Sequence, residues 1–445
     1  MRALVVVVIA LVVLTLANAA WQRKRAGGRV EIELSVWGMP FENALYLKEY
    51  IPEFERRNPN IKVHFHHFDN YTSRILMLRA GGIAPDVMRQ NTNYGAQYIR
   101  RGMNLPLDRY IDGRDGIDRN DFIPVTWEAL RYNGRTYGIP QDINIRGLFY
   151  NKDLFDAAHI RYPDDNWTWD DLRSAAGKLS NPALNGGRKG IAGLLAGFHT
   201  SDWMPFYYQA GGRMWNADKT APAFDNEEAV ASIAFIRSLS GDFIMSQSTN
   251  ERGGLGAYTF FQNGHAGMLI DGSWRTPQLK KDGKNLRFGV APLPRGKQAM
   301  SISTSCYWGI SAQTKHPDEA WQLAKFLSSK EALVRYWQTL WVAPPARWSA
   351  LRSPDFRRIT GAGKDSPALP TQAEFREKCA WIPSVLENGH TTMEFIGPFT
   401  SQLNLKMDYA LESILLQDAE PRAALRKATS ETIVQIREAE KTFVR

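Results

Sequence analysis

The sequence predicts an α/β protein of two or three folding units, with at least one parallel sheet. Three observations carry that expectation. The chain has 445 residues, which is long for a single hydrophobic core. Residues 30–66 read as strand, helix and strand in close succession, the signature of a βαβ unit. Residues 261–274, Phe-Gln-Asn-Gly-His-Ala-Gly-Met-Leu-Ile-Asp-Gly-Ser-Trp, read as a helix end, a short apolar strand and a tight turn. That turn brings Asp271 and Trp274 to the end of a strand, where open α/β sheets form ligand crevices.

At the N-terminus, Arg2 precedes an apolar run from Ala3 to Leu16, and Ala17-Asn18-Ala19 follows as an A-x-A cleavage site. Arg23, Lys24 and Arg25 come next, where basic residues resist translocation. The uncharged stretch up to Gln22 is also long enough to span a bilayer. Residues 1–28 are therefore expected to be a signal peptide or an N-terminal membrane anchor, with the remainder exported.

A charge of +9 raises the possibility of a nucleic-acid partner. The basic residues are scattered, however, and no groove-reading motif accompanies them, so no nucleic acid is expected. The two cysteines, Cys306 and Cys379, have neither metal-ligand nor redox spacing. Neither a metal nor a cofactor is expected. The 14 Trp exceed what a pocket can use, so most must be core residues.

Along the chain, Val30 to Trp37 alternates apolar and polar residues as a strand does, and Gly38-Met39-Pro40 breaks it. Leu47, Ile51 and Phe54 recur at helical spacing, with Pro52 as an irregularity. Ile61 to His66 alternates again. His64, His66 and His67 look like a metal cluster, but alternation sends His67 to the opposite face, so they read as polar strand positions. Asp86 leads into a short strand that ends near Asn91 and Asn93. These amides suit either neutral hydroxylated ligands or loop and cap roles. Asn133-Gly134 marks a hairpin. Thr168 reads as an N-cap, so Trp167 and Trp169 read as packing residues. Glycine and aromatic residues are dense between Gly190 and Gly212, and Trp203 there is a candidate pocket wall. Ser301 to Ile310 reads as one strand carrying Tyr307 and Trp308, and Pro317 to Leu327 as an amphipathic helix.

The order of these segments resembles family 1 extracellular solute-binding proteins of ABC importers, the group that includes maltose-binding protein. The matching pieces include Val36-Trp37-Gly38, Ala84-Pro85-Asp86-Val87, Tyr137-Gly138-Ile139-Pro140 and Leu148-Phe149-Tyr150-Asn151-Lys152. Thr168-Trp169, the Gly264–Trp274 block, Pro292-Leu293-Pro294 and Pro344-Pro345 continue the series. The resemblance covers nearly all the chain after Val30. It implies a periplasmic-binding-protein-like fold of two α/β lobes joined by three crossing segments, with a ligand cleft between them. One lobe would hold residues 29–141 and 294–338, the other 146–292 and 342–445, with crossings near 142–145, 291–294 and 341–344. Cys306 and Cys379 would then sit in different lobes, and a bridge between them would restrain lobe movement, so pairing is not expected. The chain departs from the family in lacking a lipid-anchor cysteine. It also has Ser303-Thr-Ser-Cys-Tyr-Trp308 where the family carries a glycine-rich run.

The resemblance implies capture rather than catalysis: a monomer that closes over a small-molecule sugar and hands it to an ABC permease in the membrane. Trp37 and Trp274 are the expected stacking residues, since a flat apolar ring covers the C–H face of a sugar. Asp142, Asp271, Asn91 and Asn93 are expected to bond its hydroxyls, and Trp203, Tyr307 and Trp308 to complete the walls. For Asp271 and Trp274, a turn carboxylate beside a core indole is the alternative. Besides a membrane-tethered sensor that signals rather than feeds a transporter, two other functions compete. One is a glycoside-cleaving enzyme using Asp142 and Asp271 as paired carboxylates. The other is a binder of an acidic or phosphorylated solute, suggested by the positive charge.

Overall fold

The computed structural model describes residues 28–195, 200–216, 221–239, 256–283, 285–357, 371–393 and 400–443. Residues 1–27, most of the expected signal or anchor, lie outside the described residues. Among the described residues no helix is long and apolar enough to cross a membrane.

In chain order the strands are β1 (Val30–Val36), β2 (Ile61–His67), β3 (Val87–Asn91), β4 (Arg131–Tyr132), β5 (Arg135–Thr136), β6 (Ile139–Pro140) and β7 (Asn144–Asn151). They continue as β8 (Ala192–Leu195), β9 (Ala266–Gly272), β10 (Phe288–Ala291), β11 (Ser301–Thr304), β12 (Cys306–Ile310) and β13 (Thr391–Met393). Two larger sheets define two lobes. The first has the order β2-β1-β3-β12-β6, with β1 parallel to both β2 and β3 and β12 antiparallel to its neighbours. The parallel start follows from the βαβ connection, whose return through a helix brings the second strand back in the same direction.

The helix between β1 and β2 runs as Pro40–Leu45, a π-helical stretch Tyr46–Tyr50, and Ile51–Arg57. Pro52 has no N–H to donate one turn back, and the wider turn sits directly before it. Tyr46, Tyr50 and Phe54 from this helix are buried in the first lobe's core with Leu34, Val36 and Trp308. β4 and β5 form the Asn-Gly hairpin, with Asn133 and Gly134 both at positive φ, 48° and 76°. That backbone is the twist-matched turn for which Asn-Gly is selected.

The second sheet has the order β13-β11-β7-β9-β8. β7 is its axis: β9 pairs along one edge, and β11 and β10 share the other, all three antiparallel. Only β8–β9 and β11–β13 are parallel, so this sheet is mixed. Trp167 is buried in the core behind it, and Thr168 caps the Trp169–Ser180 helix through a capping box, with Trp169 stacked on Phe235.

The expected single strand from Ser301 to Ile310 breaks at Ser305. β11 belongs to the second sheet and β12 to the first. The second passage between lobes is therefore at Ser305, not at 291–294, and β10 and β11 both stay in the second lobe. Hydrogen bonds explain the break. The Ser305 amide donates to Thr92 Oγ1, its hydroxyl donates to the Asp142 carbonyl, and the Cys306 amide donates to the Asp142 carboxylate. Local alternation is identical in either sheet, so only these partners fix the boundary.

The first passage, Gln141 to Ile143, lies against the stretch that follows the Lys330–Leu340 helix. Ile143 N donates to the Pro344 carbonyl and Ala346 N to the Gln141 carbonyl. That helix ends at Trp341 in the left-handed region, at φ 53°. Cys306 and Cys379 are both free and buried.

Candidate ligand-binding cleft

A cavity of ≈ 830 Å³ opens between the lobes where the passages cross. It is of the size usual for small-molecule sites. Its first-lobe wall starts at the end of β1. Gly38 sits at φ 146°, and a Cβ there would lie 2.5 Å from Glu42 Oε2. This glycine lets the chain turn sharply from β1 into the next helix, so that Glu42 folds back to accept the Met39 amide. Trp37 is half-buried and lines the cavity just before this turn.

Trp37 is held by a buried charge network. Arg89 of β3 is 2% exposed and Glu42 4%. The guanidinium donates to Glu42 Oε1 at 2.9 Å, to the Trp37 carbonyl at 2.8 Å, to Tyr336 Oη at 2.8 Å and to Gln141 Oε1 at 3.1 Å. It also lies over the Trp37 ring, 5.0 Å from the centroid. Charge-assisted bonds of this kind are the strong ones, and the planar fork suits several partners at once. One side chain therefore ties β1, β3, the Lys330–Leu340 helix and the first passage together. An arginine inside a short, otherwise buried strand was the available sequence hint. Glu42, 47 residues away, gave none.

Asn91 and Asn93 both line the cavity. Asn91 is also the N-cap of the Thr92–Arg100 helix, accepting the Asn93 amide at 2.9 Å. Asp142 lies in the cavity floor and is 1% exposed. Its Oδ1 accepts from the Cys306 amide at 2.8 Å and from Asn144 Nδ2 at 3.2 Å, while Oδ2 has no hydrogen-bond partner and stands 3.7 Å from Arg89. Burial pushes the Asp142 carboxyl up to about 6, against the opposing pull of Arg89 and the Cys306 amide. An acid raised in the fold supplies stability that is complete below its ordinary value and lost as pH rises through the raised one. Stability from this group should fall between about pH 4 and 6. Asp142→Asn should then exceed the wild type above pH 6, by roughly 3 kcal/mol at most, and converge with it near pH 4. Urea unfolding midpoints of both proteins across this range check the prediction.

On the second-lobe wall, Trp274 lines the cavity at the start of the Arg275–Asp282 helix. The indole folds back over the end of β9, where a Cβ on Gly272 would lie 1.8 Å from the Trp274 ring. Gly272→Ala should push the ring aside and weaken ligand binding by roughly tenfold while leaving the fold intact. Titration calorimetry with the cleft's ligand, beside an unchanged unfolding midpoint, measures this. Arg146, Asn144, Thr200, Asn404 and Asp408 add polar groups to the walls. Thr200 donates through its amide and its hydroxyl to Asp408, both at 2.6 Å, and Arg146 pairs with Asp202 at 2.8 Å. Asn404 and Asp408 lie one turn apart on the Thr400–Leu416 helix, a face that carried no recognisable motif.

Four expected site residues are not in the cavity lining. Trp203 is 1% exposed, stacked on Tyr207 at 4.6 Å, with Nε1 donating to Ser232, so it is a core residue of the second lobe. Tyr307 and Trp308 are fully buried inside the first lobe, with Trp308 edge-on to Tyr46. Their strand pairs with β3 on one edge and β6 on the other, and packing covers both faces: Trp308 lies in the first-lobe core, and the Tyr307 ring lies against Gly95 and Gly138. Asp271 accepts from its own Gly272 amide and from Arg275 Nε at 2.8 Å, the turn role that was its alternative. Asp271 is thus absent from the lining that holds Asp142, its partner in the competing enzyme reading. The cavity thus gathers Trp37, Asn91, Asn93, Asp142 and Trp274. Among the described residues no cluster of metal-ligating side chains occurs.

The charges of the lining nearly balance. Glu42, Asp69, Asp142, Asp282 and Asp408 are five carboxylates against the four cations Arg89, Arg146, Arg275 and Lys281. The net charge of +9 is not concentrated here.

Comparison with known proteins places this architecture. The sequence pattern of the family described as bacterial extracellular solute-binding protein matches residues 41–334. A protein of Brucella abortus named as a binding protein is 25% identical over 414 residues, 90% of this chain and 92% of that one. The galactooligosaccharide-binding protein of Bacillus subtilis is 22% identical over 417 residues, 91% of this chain and 90% of the other. Among solved structures, an ABC substrate-binding protein of Listeria monocytogenes in complex with cycloalternan superposes with a TM-score of 0.76. That pair is 21% identical and covers 92% of this chain and 99% of the other.

Proposed function

The chain belongs to the bacterial extracellular solute-binding protein family, and from that premise we propose that its cleft captures a neutral sugar or oligosaccharide. One observation carries the reading. Four side chains of the cleft lining, Asn93, Asp142, Asn144 and Asn404, each hold a buried oxygen with no hydrogen-bond partner in the protein. Each unpaired acceptor costs about 1–3 kcal/mol, which a donor from a ligand relieves. Hydroxyl groups are such donors, and the indoles of Trp37 and Trp274 on opposite walls supply flat apolar faces for the sugar ring.

The near-balance of charge in the lining favours a neutral guest over an acidic or phosphorylated one. Contacts from both lobes favour the closed form, since a ligand stabilises whichever conformation it touches most. The closed monomer then delivers its cargo to an ABC permease, outside the cytoplasm, after export directed by the N-terminal segment. The role is capture rather than bond cleavage.

A thermal-shift screen against neutral and phosphorylated sugars tests this. A neutral sugar that raises the melting temperature, with no product after prolonged incubation and little salt dependence, is the expected outcome. Turnover, or stabilisation only by salt-sensitive anionic compounds, would refute it.

A further inference from the structure

We propose that the end of the first lobe remote from the cleft docks on an anionic phospholipid surface. Strand direction defines that end. β1 and β3 are parallel, and Trp37 and Asn91, where they finish, line the cleft. Their starts, and the finish of antiparallel β12, lie together at the opposite end of the sheet. Three segments are bonded to one another there. Arg79 Nη2 donates to the Gly102 carbonyl at 3.1 Å, and Gln313 Nε2 donates to the Arg79 carbonyl at 3.2 Å. The Ala312 amide donates to the Met103 carbonyl at 2.8 Å.

Residues 74–84, 99–102 and 311–315, which make up this surface, carry Arg74, Arg79, Arg100, Arg101 and Lys315 and no acidic residue. Arg74, Arg101 and Lys315 are exposed. The adjoining Asp86 carboxylate is engaged by the fold: it accepts from the Glu33 amide at 2.8 Å and from the Thr314 hydroxyl. Glu33 itself stands 4.0 Å from His66. Part of the net charge of +9, which the cleft does not hold, is therefore gathered here.

Among these cations, Met77 in the last turn of the Tyr71–Ala80 helix and Ile83 just beyond it are 65% and 66% exposed. They are the two most exposed large apolar side chains among the described residues. A single exposed apolar residue needs no explanation, but two beside a cluster of cations match an interfacial surface. Cations are drawn to anionic headgroups, and apolar side chains enter the boundary beneath them. A polynucleotide would use the cations and leave Met77 and Ile83 without partners. The direction of the N-terminus agrees. The described chain starts at residue 28 and enters β1 at Val30, at this same end of the sheet. The apolar run from Ala3 to Leu16 and the basic Arg23-Lys24-Arg25 precede it. A retained anchor would hold this end of the lobe, and not the cleft, toward the bilayer. No residue of the surface lines the cleft, so docking and solute capture are separable.

The test labels Ile83→Cys and, as a second-lobe control, Leu184→Cys with a polarity-sensitive fluorophore. Leu184 is 48% exposed, and the buried Cys306 and Cys379 stay unlabelled. The full chain is mixed with vesicles of phosphatidylcholine alone, or of phosphatidylcholine and phosphatidylglycerol in equal parts. The probe at 83 should shift to the blue on the mixed vesicles only, and the probe at 184 on neither. High salt should remove most of the shift. Arg101→Glu/Lys315→Glu should weaken the lipid titration by roughly tenfold or more, with the urea midpoint unchanged. Arg101→Gln/Lys315→Gln should weaken it less. The proposal is overturned if the probe at 83 does not shift, if it shifts equally on neutral vesicles, if the two probes respond alike, or if salt and both charge variants leave the shift intact. Dimers that form without lipid and vanish in the charge variants would assign the surface to a second copy of the chain and also overturn it.

Discussion

Arg89→Ala should destabilise the protein by about 3–5 kcal/mol, the usual effect of removing one partner from a buried ion pair. The loss goes beyond one bond. Truncation strands the Glu42 carboxylate in a site 4% exposed and takes donors from the Trp37 carbonyl and from Gln141. It also removes the cation nearest to Asp142. The double variant Arg89→Met/Glu42→Leu should lose less than Arg89→Met alone, since no charge is then left unpaired. Urea unfolding of the three proteins measures the coupling. A loss below about 1 kcal/mol for Arg89→Ala would mean that water enters the site and the network is not truly desolvated.

The largest effect on binding is expected at the two indoles. Trp37→Ala and Trp274→Ala should each weaken sugar binding by roughly 2 kcal/mol or more, about thirtyfold in Kd. The two should differ in stability. Trp274 stands at a helix start and is half-buried, so its removal leaves the fold nearly unchanged. Trp37 lies beneath the Arg89 guanidinium and beside a small cluster of Tyr71, Ile75, Met88, Tyr98 and Met103. Its loss should also lower the unfolding midpoint. Calorimetry paired with urea unfolding separates the two contributions. Unchanged affinity in both variants would remove the stacking role.

Local patterns carried much of the fold. Alternation marked β1 and β2, Asn133-Gly134 marked its hairpin, and Thr168 marked a helix start. The Gly264–Trp274 block marked β9 and the indole beyond it. The patterns failed where the deciding partner is distant in sequence. Nothing between Ser301 and Ile310 distinguishes a strand in one sheet from a strand shared by two; Asp142 makes the break, 164 residues from Cys306. Trp203, Tyr307 and Trp308 have the chemistry of a sugar site, but a core uses the same rings, and their burial depends on Tyr207, Ser232 and Tyr46. Arg89 with Glu42 and Asn404 with Asp408 became recognisable only once separate segments faced one cavity.

The passage at Ser305 has a consequence for how the gene tolerates change in length. β11 is pinned by Thr304 opposite Asn144, and, with Ser305 alone between them, β12 is pinned by Cys306 opposite Asn91. An inserted or deleted codon between them cannot be absorbed by slack. It would turn one strand over, sending Trp308 outward or drawing a small residue into its place. Surface loops elsewhere can absorb such a change in length, but this junction is a fixed ruler between the two halves.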